Sequence, residues 1–437
     1  MKKVLILLAA GFGGFAIHAA VIDRVIIRQQ WPWSTDVKIE YQISGVDAAA
    51  PVDIVVTAYD GATQLEGTHL QESLKGDIYG IVKNGMGTIM LDPVKAFGAE
   101  MGSLNDFSVE LSVTSSSANV REVLYKIIDL DTGDMEDLRR CDFYNGKYGS
   151  YETSFSKIKS DFTTTLTDVL IWTEVTNRID LMTNKMAFRK ISAKNVVWQM
   201  GETDNGPNGN DGPDKYMNDP FWAKLDADFF IGVFPVTQAQ YYKLRSDYGA
   251  CCTNAEQYPN HLHYPVAGMQ LGDVITDASY AFLKKFSSKC GLTLTLPTEA
   301  QWEFACRGGV YDKALYSGKT YSEAACSEIS WNRSSSGNTT MCEVGYLPPN
   351  AYGLYNLLGN AGEFCSTRWF SYPTESSQAS PELNPGHTVT SGNFVWRGAN
   401  YTLNYKNVSA AKHVNTGQGN PWKSYGVIGF RVSFAAE

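Results

Sequence analysis

Residues 294–309 read LTLPTEAQWEFACRGG. Pro297 and Thr298 end an extended run and open a helix. Thr298 followed by Gln301 is a capping box, in which the hydroxyl takes one orphan backbone amide and the Gln side chain reaches back to the cap. Gly308 supplies the left-handed residue that closes a helix. Trp302 and Phe304 give the helix apolar bulk, while Glu299 and Glu303 add carboxylates. Arg397 and Arg431 follow or end β-like runs further along, and their planar forks suit carboxylates or carbonyls. Glu299 and Glu303 are the expected partners. Such residues hold a fold together more often than they act on a substrate.

The same grammar continues on either side. TQAQYYKL, 237–244, repeats the capping box with Thr237 and Gln240. ITDASYAFLKKFSSKCG, 275–291, spaces Ala278, Ala281, Phe282, Lys285 and Phe286 as a helix ending at Gly291. Long stretches without period lie between these helices. GETDNGPNGNDGPDKYMNDP, 201–220, is one; its Asn and Asp oxygens suit a solvated loop better than a calcium site. RGGV at Arg307 caps a helix rather than cradling phosphate. Helices mixed with short extended runs predict an α+β fold for 191–437.

Toward the N-terminus the period becomes two. Val37, Ile39, Tyr41 and Ile43 alternate with polar residues, as do Val52, Ile54, Val56 and Ala58, and Phe107, Val109, Leu111 and Val113. Half-buried strands require that alternation. An all-β, Ig-like sandwich is expected over 21–130, with a connecting segment over 131–190. The acidic turn from Asp129 is no EF-hand, because Asp134 stands where the loop needs glycine.

Residues 1–20 combine Lys2 and Lys3, an apolar run and Ala19-Ala20, the pattern of a secretory signal peptide. The expectation is a secreted or periplasmic protein with no membrane span once the signal is cleaved. A net charge of −9 disfavours a nucleic-acid partner. Eight cysteines in an exported chain permit disulfides without fixing their connectivity.

Six stretches now stand in order: FFIGVFPVTQAQYYKL from Phe229, YPVAGMQLGDVITDASYAFLKKF from Tyr264, the opening stretch, PPNAYGLYNLLGNAGEFCSTRWF from Pro348, WRGANY from Trp396 and IGFRVSF to Phe434. Together they resemble the formylglycine-generating enzyme, or sulfatase-modifying factor, family over roughly Ala193 to Phe434. The resemblance implies a C-type-lectin-like fold. It also implies structural calcium, with Asn356, Gly359, Ala361 and Glu363 as ligands. One amide oxygen, two carbonyls and one carboxylate are hard donors of modest affinity, of the order of 10⁻⁴ to 10⁻³ M.

Family enzymes oxidise a client cysteine to formylglycine, holding copper(I) on two cysteines after an Arg-Gly-Gly-Ser turn. Aligning that turn on Arg397-Gly398-Ala399-Asn400 puts Leu403 and Val408 where the cysteines belong. Asn400 replaces the turn's serine, and Gly362 replaces a tryptophan. Apolar side chains cannot substitute for soft thiolates, so copper is not expected. The iron-dependent relatives need several histidines, and the close pair here, His261 and His263, lacks an evident third ligand.

Two function classes follow. Residues 397–426 are rich in Asn, Tyr, Ser and Gly, the composition of a binding surface. On this reading Asn400, Tyr401, Asn404, Tyr405, Trp422 and Tyr425 contact a protein, peptide or glycan ligand. The alternative, by family membership, is a formylglycine-generating or related metal-dependent oxidoreductase.

Overall fold

The computed structural model describes residues 19–29, 34–66, 70–98, 106–156, 166–202, 220–246, 261–276, 278–308, 315–336, 340–416 and 426–436. Trp422, Tyr425, Cys251, Cys252, most of the 201–220 loop and residues 1–18 of the expected signal peptide lie outside them. The chain forms two compact units, one reaching Val123 and including Leu138–Ser150, the other made of Leu124–Asp137 and Tyr151 onward.

In the first unit one antiparallel sheet runs in the order Val21–Gln29, Val37–Ser44, Gly85–Leu91, Leu74–Gly76. A second joins Thr63–Gln64, Val52–Asp60 and Phe107–Ser115. Alternation decides which side chains are buried. Val37, Ile39, Tyr41 and Ile43 share one core with Ile54, Val56, Ala58 and Val109 from the other sheet. Gly87 is paired opposite Tyr41 because a Cβ there would sit 2.2 Å from the tyrosine ring.

The second unit holds little regular structure. A five-stranded sheet has the order Ser433–Ala435, Phe229–Gly232, Lys185–Ile191, Val123–Asp129, Met135–Arg139. A four-stranded sheet has the order His413–Asn415, Phe394–Arg397, Gly362–Arg368, Ile428–Phe430, the last pair parallel. Residues 131–190 are therefore not a connecting segment. Lys185–Ile191 is the middle strand of its sheet, and Tyr151–Ser156 pairs with Leu166–Trp172. Met186, Ala187, Phe188, Arg189 and Ile191 are all buried. A strand covered on both faces shows no alternation from which to read it.

Helices Gln238–Leu244 and Glu299–Arg307 start at Thr237 and Thr298 with both capping boxes formed. Gly308 closes the second at φ +56°. The helix expected over 275–291 is shorter. Gly272–Ile275 ends at an extended Thr276, and a separate helix covers Phe282–Cys290 before Gly291 in the left-handed region. Trp302, Phe304 and Ala305 pack with Trp198, Phe229, Leu357 and Val395 in a core of fully buried residues. Cys141, Cys290, Cys306, Cys326, Cys342 and Cys365 are buried free thiols, so the disulfides allowed by sequence do not form among the described residues.

Candidate functional site

The helix of the opening stretch buries its carboxylates beneath the strand Phe394–Arg397. Arg397, Glu299 and Glu303 are all fully buried. Arg397 Nε and Nη2 lie 3.0 and 2.8 Å from Glu299 Oε1, and Nη2 lies 2.8 Å from Glu303 Oε2. Its Nη1 donates to the Ala410 carbonyl at 2.9 Å, which ties the far end of the 398–410 loop to the helix. His413 Nδ1 stands 2.6 Å from the same Glu299 oxygen, so the ring carries its proton on that nitrogen. Tyr372 accepts from Arg397 at 2.8 Å and donates to Glu299 at 3.1 Å. Glu303 in turn takes Arg307 and the Gly201 amide, both at 2.8 Å from Nε and N.

Burial alone would raise the Glu299 pKa. Arg397 and His413 override it and hold the carboxyl at about 2. Burial pushes the Tyr372 phenol well above its usual range. A carboxylate locked ionised between a guanidinium and an imidazole, and a phenol locked neutral, form a fixed scaffold rather than a proton shuttle.

Arg431 makes a second such knot. Its fork grips Glu363 at 2.8 Å through Nη2 and 3.0 Å through Nε, and donates to the carbonyls of Gly232, Val233 and Tyr355. Trp302 Nε1 donates to Glu363 Oε2 at 2.7 Å. Arg431 therefore pairs with Glu363, not with Glu299 or Glu303. The expected calcium set does not fit this arrangement. Its one carboxylate, Glu363, is neutralised by a guanidinium. Asn356 Oδ1 accepts from the Gly345 amide at 2.7 Å, and the amide atom left without a partner is the Nδ2 donor. A donor repels a cation. Ala361 packs in an apolar cluster with Ala267 and Met341. Gly359 is needed for a turn at φ +85°, where a Cβ would meet the Trp331 carbonyl at 2.5 Å.

Leu403 and Val408 are built into the hydrophobic core. Val408 is fully buried, and Leu403 packs partly buried against the same cluster. Neither side chain carries a donor for copper. The buried thiols do not replace them. Cys326, whose Sγ lies 3.9 Å from the Tyr405 carbonyl, is pushed up to about 11 by burial, and Cys342 to about 12. Gly362 has a local cause: a Cβ there would come within 2.7 Å of Trp396 on the facing strand. The aromatic bulk at this spot comes from Trp396 on that strand.

The expected ligand contacts are mostly spent on the loop itself. Asn400 is buried, and its Oδ1 accepts from the Thr402 amide and hydroxyl at 3.0 and 2.6 Å. Asn404 caps the single turn Tyr405–Asn407, accepting from Lys406 N at 3.1 Å. Tyr401 packs on the Ala267–Ala361 cluster, and Tyr405 on the main core. Only Asn404 of these four is exposed. His263 Nδ1 stands 4.0 Å from Glu343 while the His261 ring lies tilted against Tyr264, and no metal-ligand cluster occurs among the described residues.

Sequence reading missed a surface pocket of about 380 Å³ on the other side of Tyr372, walled by Phe221, Trp369, Phe370 and Tyr372. Only the RWFSY aromatic run at 368–372 signals it.

A family model described as a sulfatase-modifying factor enzyme 1-like domain matches residues 185–436. Formylglycine-generating enzyme of Bos taurus is 33% identical over 150 residues, 32% of this chain and 38% of that protein. The Streptomyces coelicolor formylglycine-generating enzyme is 29% identical over 41% of this chain and 54% of its own length. The chain thus spans about two fifths to about half of these curated relatives. Serine/threonine-protein kinase pkn1 of Chlamydia pneumoniae is 29% identical over 36% of this chain and 26% of its own. Among solved structures, Treponema denticola variable protein 1 aligns with a TM-score of 0.44 and 23% identity, over 58% of this chain and 96% of that one.

Proposed function

The chain belongs to the sulfatase-modifying factor enzyme 1-like family, and from that premise we propose that its C-terminal unit is a ligand-binding module that does not make formylglycine. One observation carries this reading. The two positions where family enzymes hold copper thiols are Leu403 and Val408, and Val408 is closed inside the core. The loop that bears them is still fastened by Arg397 to Glu299, Glu303 and Ala410. The anchor of the family turn persists without groups that bind a soft metal or exchange with a substrate thiol.

On this reading the protein is exported by its N-terminal signal and meets a protein, peptide or glycan ligand outside the cytoplasm. The C-terminal unit has the C-type-lectin-like fold of its family, and the two-sheet unit before it is an Ig-like sandwich that docks or spaces. The test is an aldehyde assay. Purified protein is incubated with copper(I), oxygen and a Cys-x-Pro-x-Arg peptide, and the peptide is read by mass spectrometry. No aldehyde is expected. Aldehyde formation supports the oxidoreductase alternative and ends the binding-module reading.

A further inference from the structure

We propose that the groove walled by Phe221, Trp369, Phe370 and Tyr372 binds a neutral oligosaccharide. The inference rests on the binding-module reading and moves the contact surface away from the 400–405 turn. Three observations support it. The first is size and shape. The pocket of about 380 Å³ adjoins a second depression of about 400 Å³ that shares Pro373, Thr374 and Ser376 with it. Both are open, shallow depressions rather than enclosed cavities, a shape that suits consecutive rings of a chain laid along a surface.

The second is chemistry. Partly exposed Trp369, Phe370 and Tyr372 line the first depression over a buried Phe221, in a surface more polar than apolar, and Ser371 and Thr374 stand exposed at its edge. Glu375 and Glu382 line the second. Sugar rings present apolar C–H faces to aromatic planes and hydroxyl donors to carboxylate and hydroxyl acceptors. No Lys, Arg or His lines either depression, and two carboxylates do, so anionic ligands such as phosphates or acidic peptides are repelled.

The third is rigidity. Tyr372 is pinned through its hydroxyl by Arg397 and Glu299. Trp369 is stacked on His413 at a centroid distance of 4.3 Å, and Phe221 meets Tyr372 edge-on at 4.7 Å. The buried ion network thus holds the wall in place before a ligand arrives, which removes an ordering cost from binding.

The experiment is calorimetric titration of the full-length mature protein with cellohexaose, chitohexaose, xylohexaose and mannohexaose, with decaproline as the peptide comparator. At least one saccharide is expected to bind. Thr374→Trp, which fills the groove mouth from an exposed position, should weaken it about tenfold or more, as should Trp369→Ala. Glu328→Ala, on an exposed position of the helix Glu323–Ile329 and outside the lining of both depressions, should leave it unchanged. Folding of each variant is checked by near-UV circular dichroism, and Thr374→Trp decides if Trp369→Ala unfolds. The proposal is overturned if folded protein binds none of the saccharides, if binding ignores Thr374→Trp, or if decaproline alone binds. These outcomes leave the aldehyde assay untouched, so failure of the groove and failure of the non-catalytic reading are separate results.

Discussion

Arg397 and Val408 stand at the two ends of one loop and have met opposite fates. Arg397 lies in a buried network of Glu299, Glu303, Tyr372 and His413, with both carboxylates on one helix face. Val408 lies in an apolar core, at the position that the proposed reading matches to a thiol of the family enzymes. The difference teaches that the anchor of this loop and its chemistry are separable. A guanidinium held by two carboxylates and a carbonyl fixes the backbone whatever the loop carries. On the proposed reading a small side chain absorbed by the core stands in the place of a metal thiolate, whereas losing a buried charge would strand its partner.

That asymmetry predicts a ranking of stabilities. Arg431→Met is the most damaging change, because Glu363 is left buried with Trp302 but without its cation. A loss of about 3–5 kcal/mol is expected in urea unfolding followed by tryptophan fluorescence. Glu299→Gln comes next, and its effect depends on pH. The folded-state pKa of Glu299 is depressed from 4.5 to about 2. Its contribution is therefore complete above the unfolded value and is lost as pH falls from 4.5 through about 2. The wild type should exceed the variant by of the order of 3 kcal/mol at pH 7, and the gap should close below pH 3 as the folded-state pKa of about 2 is approached. A gap that ignores pH would break the claim that the ionised carboxylate does the holding.

Val408→Ala sharpens the other side of the comparison. It should cost about 2 kcal/mol through lost packing, read as a shift in urea midpoint at unchanged slope. No cost would mean that Val408 is not core. Thr298→Ala should remove one half of the capping box for about 1 kcal/mol, by the same measurement. Asn404→Ala, capping a single exposed turn, should change stability by less than ~0.5 kcal/mol.

Legibility followed range. Thr298–Gln301 and Thr237–Gln240 were readable because a cap is made within one turn of chain. Alternation at Val37–Ser44 was readable because one face is wet. Arg397 was matched to the correct carboxylates, but Arg431 was not. Its partner is set by parallel pairing of Ile428–Phe430 with Gly362–Arg368, which no local pattern announces. Lys185–Ile191 was hidden by burial on both faces. The same long-range contact bears on the expected calcium set, since sequence spacing cannot show that Arg431 and Trp302 reach Glu363. The reason for Gly362 is likewise non-local, because Trp396 of the facing strand occupies the space a side chain there would need. The groove at 369–376 has no period, and its aromatic wall is assembled partly from Phe221, far away in the chain.

On the proposed reading a family loop keeps its seat without the metal-binding groups. The most direct measurement is a difference titration with copper(I) against a colorimetric chelator, comparing wild type with a Leu403→Cys/Val408→Cys double variant. All native thiols are common to both proteins and cancel. If the seat is retained, the double variant takes up one more copper(I) per chain than the wild type. Equal uptake by a folded double variant would contradict the account, because the loop would no longer bring those two positions together.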